Sequence, residues 1–130
     1  MNIIKPIDCD NIEKFFKAFP QRESFLFEER NLELVRKESS TGEISRLIYP
    51  SDEFSFIEAM FEIVEEVIYT YNDEDKTKCK FLRECIIGRL HWKEAGELFR
   101  IRRRTYFAWR REILEDAIVL AIGRGILKIN

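Results

Sequence analysis

Along most of the chain the apolar residues recur at the spacing of one helix face. Ile12, Phe15, Phe16 and Phe19 predict a short helix over Asn11–Phe19, stopped by Pro20. Between Phe25 and Tyr49 the helical period is lost. There Leu32–Lys37 and Ile44–Tyr49 flank Ser39-Ser40-Thr41-Gly42, a turn-forming cluster. A small β-hairpin is the first reading of this stretch and a pair of short helices the second. Helical spacing then returns after Pro50-Ser51-Asp52-Glu53, where Ser51 can cap and the acids suit the positive end of a helix dipole. Phe54, Ile57, Met60, Phe61, Val64, Val67, Ile68 and Tyr71 give one amphipathic helix of about twenty residues. Glu58, Glu62, Glu65 and Glu66 fall mostly on its outer side.

Asn72-Asp73-Glu74-Asp75 is a polar break and the next cap. A second helix is predicted from about Asp75 to Leu90, with Phe81, Leu82, Cys85, Ile86 and Leu90 inward and Lys76, Lys78, Lys80, Arg83 and Arg89 outward. A short helix, Trp92–Phe99, has Ala95, Leu98 and Phe99 on one side. The chain turns through Arg100-Ile101-Arg102, and a long helix runs from near Arg103 to about Ile122. Gly123 and Gly125 stand where helix C-termini favour glycine. The predicted fold class is mostly α, with a C-terminal helix-turn-helix bundle and a hairpin in the N-terminal half. Residues 1–50 read as an acidic extension, and 51–130 as a helical domain with the helix-turn-helix at 92–121.

Charge sharpens this division. Residues 1–75 carry eight Lys/Arg against eighteen Asp/Glu, a net of −10, and residues 76–111 carry twelve against three, a net of +9. An acidic half followed by a concentrated basic segment points to nucleic acid or another polyanion. The bland alternative is an ordinary solvated surface. The chain has 130 residues, 45% of them hydrophobic, which suits a single domain with a real core and excludes a disordered chain. No apolar run is long enough to span a bilayer, and Met1–Asp10 lacks the basic start and apolar stretch of a signal peptide. The expected location is the cytoplasm, with no membrane partner.

Little points to catalysis. Cys9, Cys79, Cys85 and the single His91 are too scattered for a zinc site, so neither a metal nor another cofactor is expected. Cys85 falls on an apolar helix face and reads as core. Glu65 and Glu66 are adjacent on a helix and do not face each other. Gly123-Arg124-Gly125 follows a helix rather than opening one, unlike a phosphate loop. No nucleophile–base–orienter set is visible, and the chain is read as a non-enzyme.

The segment His91–Glu112, HWKEAGELFRIRRRTYFAWRRE, carries the informative constellation. A helix-turn-helix needs a small residue where its two helices cross, and Gly96 beside Ala95 supplies it. It also needs an aliphatic anchor in the turn, which Ile101 supplies. At 100° per residue, Tyr106, Trp109, Ile113, Ala117 and Leu120 share one arc of the last helix, the core side. Arg104, Ala108 and Arg111 lie roughly opposite, with Arg103 and Phe107 toward one edge. The outward face is therefore Arg-rich, and Ala108 allows close approach. Arginine both neutralises phosphate and reads guanine bidentately. The candidate DNA-binding residues are Lys93, Arg102, Arg103, Arg104, Thr105, Phe107, Ala108 and Arg111. A solvated basic helix, or one facing an acidic protein partner, is the alternative.

Residues Asp75–Ile126 resemble the C-terminal part of phage-encoded transcriptional regulators of the ArpU and RinA type, which are similar to the helix-turn-helix of sigma factor region 4. The matching elements are Trp92-Lys93-Glu94-Ala95-Gly96-Glu97-Leu98-Phe99, Ile101, and Arg103-Arg104-Thr105-Tyr106-Phe107-Ala108-Trp109-Arg110-Arg111. Two positions depart from the family pattern: Arg100 replaces a turn glycine and Arg102 a capping serine. The resemblance implies a phage-derived, sequence-specific regulator of transcription whose partner is double-stranded DNA, and RNA polymerase is a further candidate partner. Two rivals stand beside it: a small DNA-packaging subunit of the terminase type, and a protein-interaction module acting on RNA polymerase or another regulator.

Overall fold

The computed structural model describes residues 4–27, 47–48 and 53–129, and over these the protein is mostly α-helical. Helix α1 spans Pro6–Ala18. A single 3-10 turn, Phe19–Gln21, carries the chain past Pro20 into α2, Arg22–Phe27. Strand β1 is Leu47–Ile48, α3 is Glu53–Glu74, and α4 is Lys76–Phe81. Helix α5 is Trp92–Phe99, α6 is Arg103–Gly123, and β2 is Lys128–Ile129.

Helix α1 begins five residues before its expected start at Asn11. Pro6 occupies the first turn, where its missing N–H costs nothing. The Asp8 carboxylate accepts the backbone N–H of Lys5 at 2.9 Å, so this acid, 2% exposed, is a helix-start residue rather than a solvated charge. The expected hairpin is only partly described. Leu32–Lys37 and the Ser39–Gly42 turn lie outside the described residues. Leu47–Ile48 is extended, and it pairs antiparallel with the C-terminal strand, Leu47 opposite Ile129 and Ile48 opposite Lys128.

Helix α3 follows its apolar period closely. Ile57, Met60, Phe61, Val64, Val67, Ile68 and Tyr71 are buried, while Glu58, Glu62 and Glu65 are exposed. Phe56 and Ile63 are buried as well, so α3 is wrapped on more than one side. The break after α3 is narrower than expected: Asp75 alone separates the helices, capping α4 by accepting the Lys78 N–H at 3.1 Å. Helix α4 then widens into a π turn over Leu82–Ile87. Its last ring is closed by the Gly88 N–H to the Arg83 carbonyl at 2.9 Å. A Cβ at Gly88 would sit 2.5 Å from the Glu84 carbonyl oxygen, which explains the glycine.

One apolar cluster runs from Ile4 to Leu127. It joins Ile12, Phe15 and Phe16 of α1 to Phe56 and Met60 of α3, to Phe81 and Leu82 of the α4 segment, and to Ile113, Leu114 and Ile118 of α6. A boundary at residue 50 therefore does not set α1 apart from the helical domain. Its Phe15 ring meets Phe56 and Phe61 edge-on, with centroids 5.7 and 6.0 Å apart, and Phe16 is fully buried. The acidic composition of the first half hid this, because α1 carries its acids at the ends and edges of an otherwise core-forming face.

Candidate nucleic-acid interface

Helices α5 and α6 are joined by the three-residue turn Arg100–Arg102. Ala95 is completely buried where the two helices meet. A Cβ on Gly96 would lie 3.0 Å from the Ile101 carbonyl oxygen, and the Gly96 carbonyl accepts the Ile101 N–H at 3.2 Å. The small pair Ala95-Gly96 is thus what lets the turn fold back so tightly. Leu98, expected beside Ala95 and Phe99, is instead 49% exposed, because the turn leaves the end of α5 open on that side.

Arg100 adopts the left-handed conformation, φ 53° and ψ 48°. A side-chain-bearing residue there costs roughly 1 kcal/mol relative to glycine. Arg102 is extended at the N-cap of α6, and its side chain makes no capping hydrogen bond. Both positions put a cation on the surface. Arg100→Gly is expected to raise stability by about 0.5–1 kcal/mol, read from denaturant melts. An unchanged midpoint in that variant would show that the left-handed turn carries no such strain.

Below the turn an aromatic cluster fixes the start of α6. Phe81 is fully buried, and its ring meets Phe99, Tyr106 and Trp109 edge-on with centroids 5.7, 5.3 and 5.4 Å apart. The Tyr106 hydroxyl donates to the Leu90 carbonyl at 3.1 Å, and burial pushes that phenol above its ordinary pKa. This sets the rotation of α6 as its period predicts, with Trp109 half-buried against Phe81 and Ala108 exposed.

The candidate residues then fall into groups. Lys93, Arg102, Arg103, Arg104, Phe107 and Ala108 are exposed, and Thr105 is half-buried. The Arg103 guanidinium lies over the Trp92 ring at 4.8 Å and over the Phe107 ring at 5.7 Å. The Lys93 ammonium lies 5.7 Å from the Trp92 centroid. Trp92 is the organising residue, although helical spacing does not single it out: it meets Arg103 only because the turn reverses the chain. Arg100 likewise joins the exposed basic surface, which its position in the turn did not reveal.

Arg111 is placed elsewhere. Its Nε bonds Glu115 at 2.6 Å and its Nη2 donates to the Ile4 carbonyl at 2.8 Å, tying α6 to the residues before α1. Helical angle alone put Arg111 opposite the core, but α1 packs along that side of α6. Arg110, half-buried, bonds Glu13 at 2.8 Å and Asp10 at 2.9 Å. Lys78 pairs with Glu112 at 2.7 Å, and Arg124 pairs with Glu66. By contrast, none of Arg100, Arg102, Arg103 and Arg104 has a carboxylate partner among the described residues.

The Glu13–Arg110 pair gives the fold a pH signature. Burial alone would raise the Glu13 carboxyl, but the hydrogen bond and charge of Arg110, with Lys17 adding to them, hold it below its ordinary 4.5. A depressed folded-state pKa means the pair's stabilisation is complete above pH 4.5 and is lost as pH falls through the lower folded value. Glu13→Gln is therefore expected to lower stability at neutral pH and to flatten its decline below pH 4.5. Equal losses at pH 3 and pH 7 would contradict the pairing.

The three cysteines are buried and unbridged, and burial pushes the Cys9 and Cys85 thiols up to about 11, which keeps both protonated at neutral pH. Among the described residues no group of His, Cys, Asp or Glu has the arrangement of a metal site, and no helix is long and apolar enough to cross a membrane. Comparison of the chain with protein-family models, with curated proteins and with solved structures gives no match.

Proposed function

We propose that this protein is a sequence-specific, double-stranded-DNA-binding regulator of transcription. In this reading α5, the Arg100–Arg102 turn and α6 act as a helix-turn-helix, and the first turns of α6 enter the major groove. One observation carries it: Arg100, Arg102, Arg103 and Arg104 stand together, exposed and without carboxylates, while Arg110 and Arg111 on the same helix are each matched to acids. Like charges so crowded repel unless a polyanion is present, and duplex DNA is the polyanion whose groove accepts a helix. Lys93, Arg102 and Arg104 serve phosphates, and exposed Ala108 permits close approach to the groove floor. No catalytic role is part of this reading. The resemblance to phage regulators of the ArpU and RinA type agrees with it, over the same residues.

Fluorescence anisotropy with labelled duplex, followed by selection from a random duplex pool, tests the proposal. Submicromolar binding at low salt and an enriched motif are expected. Absence of duplex binding at about 50 mM salt, where phosphate contacts are strongest, would overturn it.

A further inference from the structure

Arg103 differs from its neighbours in being held while remaining unbonded. The guanidinium carbon sits over two rings, 4.8 Å from the Trp92 centroid and 5.7 Å from the Phe107 centroid. Cation–π attraction localises a guanidinium through the ring faces and leaves its N–H groups at the edges available. No hydrogen bond from Arg103 to a protein acceptor exists among the described residues, whereas Arg110 and Arg111 each make two. The rings are themselves braced. Phe107 meets Tyr106 edge-on at 5.0 Å, and Tyr106 is fixed by Phe81 and by the Leu90 carbonyl. Trp92 meets His91 at 5.5 Å, and the His91 side chain caps α5 through the Lys93 N–H.

Resting on the DNA-binding reading, we infer that Arg103, clamped over Trp92 and Phe107, is the residue that reads a guanine, with the two aromatics acting as positioning residues. A planar fork of donors fixed in one orientation matches a planar pair of acceptors fixed in the groove, the O6 and N7 of guanine. Phosphate oxygens can be met from many directions and gain little from such restraint. Arg103 is also the first residue of α6, the end of a recognition helix that reaches base edges. The clamp removes part of the rotamer freedom that an unrestrained arginine loses on binding.

The test uses the full chain. Duplexes selected by the wild-type protein should contain one guanine whose preference disappears in Arg103→Ala and weakens in Arg103→Lys, Trp92→Leu and Phe107→Leu. Trp92→Phe should largely restore it. Replacing that guanine with 7-deazaguanine, which lacks the N7 acceptor, should weaken wild-type binding roughly tenfold. The same replacement should leave Arg103→Ala binding nearly unchanged. Phe107 is exposed, so its variant keeps the test valid if Trp92→Leu fails to fold. Duplex binding with no guanine position sensitive to Arg103, or an equal 7-deazaguanine penalty in wild type and Arg103→Ala, overturns the inference and leaves the DNA-binding reading standing. Absence of all duplex binding overturns both.

Discussion

Phe81→Ala is expected to destabilise the protein by about 4 kcal/mol and to lower its melting temperature by roughly 15 °C. Phe81 is fully buried, so alanine leaves a cavity as well as removing transfer energy. It also stands at the centre of three edge-on ring contacts, to Phe99, Tyr106 and Trp109, with centroids between 5.3 and 5.7 Å. Those rings belong to the end of α5 and the start of α6, so a cavity there cannot collapse without moving one helix against the other. Phe81→Leu, which keeps most of the volume but none of the ring edges, should cost about half as much. A melting temperature within a few degrees of wild type in Phe81→Ala would show that the cluster does not hold α5 against α6. Under the proposed function, Phe81→Ala should lower both stability and DNA affinity, whereas substitutions at Arg102 or Arg104 should lower affinity alone.

The elements that could be read from sequence are those whose apolar residues keep one helical period. The main inward face of α3 and the rotation of α6 at Trp109 follow from that period, although it does not give the burial of Phe56 and Ile63 on further sides of α3. Asp75 as a cap and Arg102 as a position lacking one were also legible, since capping depends on a residue and its next few neighbours. What escaped depends on distant chain. Asp8 and Pro6 lie outside the apolar period of α1, so its true start was invisible until the cap was seen. The extended Leu47–Ile48 was legible as a strand, but its pairing with Lys128–Ile129 joins residues about eighty apart. The π turn over Leu82–Ile87 keeps the inward set Leu82, Cys85 and Ile86 that an α-helix would also give, so no pattern betrays it. At the candidate site the basic surface itself was legible as a local run. The separation of Arg111 from that surface was not, because it depends on α1 covering one side of α6. Nor was the meeting of Arg103 with Trp92, which only the turn produces.

The double variant Arg102→Ala/Arg104→Ala should lose roughly sixtyfold in affinity for any duplex at 0.1 M salt, with its melting temperature unchanged. Each arginine that neutralises a phosphate releases about 0.9 of a counterion, worth about 0.9 log unit at that salt, so two contacts remove about 1.8. The same counting fixes a second observable. A plot of log affinity against log salt should be shallower by about two in the double variant than in wild type. Stability should hold because both side chains are exposed and neither makes a hydrogen bond or ion pair among the described residues. Removing two of the four crowded positive charges should, if anything, relieve repulsion at the start of α6. Arg110→Ala is the informative contrast. That guanidinium is half-buried between Asp10 and Glu13, so its loss takes the ion pair from Asp10 and leaves Glu13 with Lys17 alone, lowers stability, and should scarcely change the salt slope. If the double variant keeps the wild-type salt slope while Arg110→Ala flattens it, the phosphates are met on the α1 side of α6 and the exposed arginines of the turn have another partner.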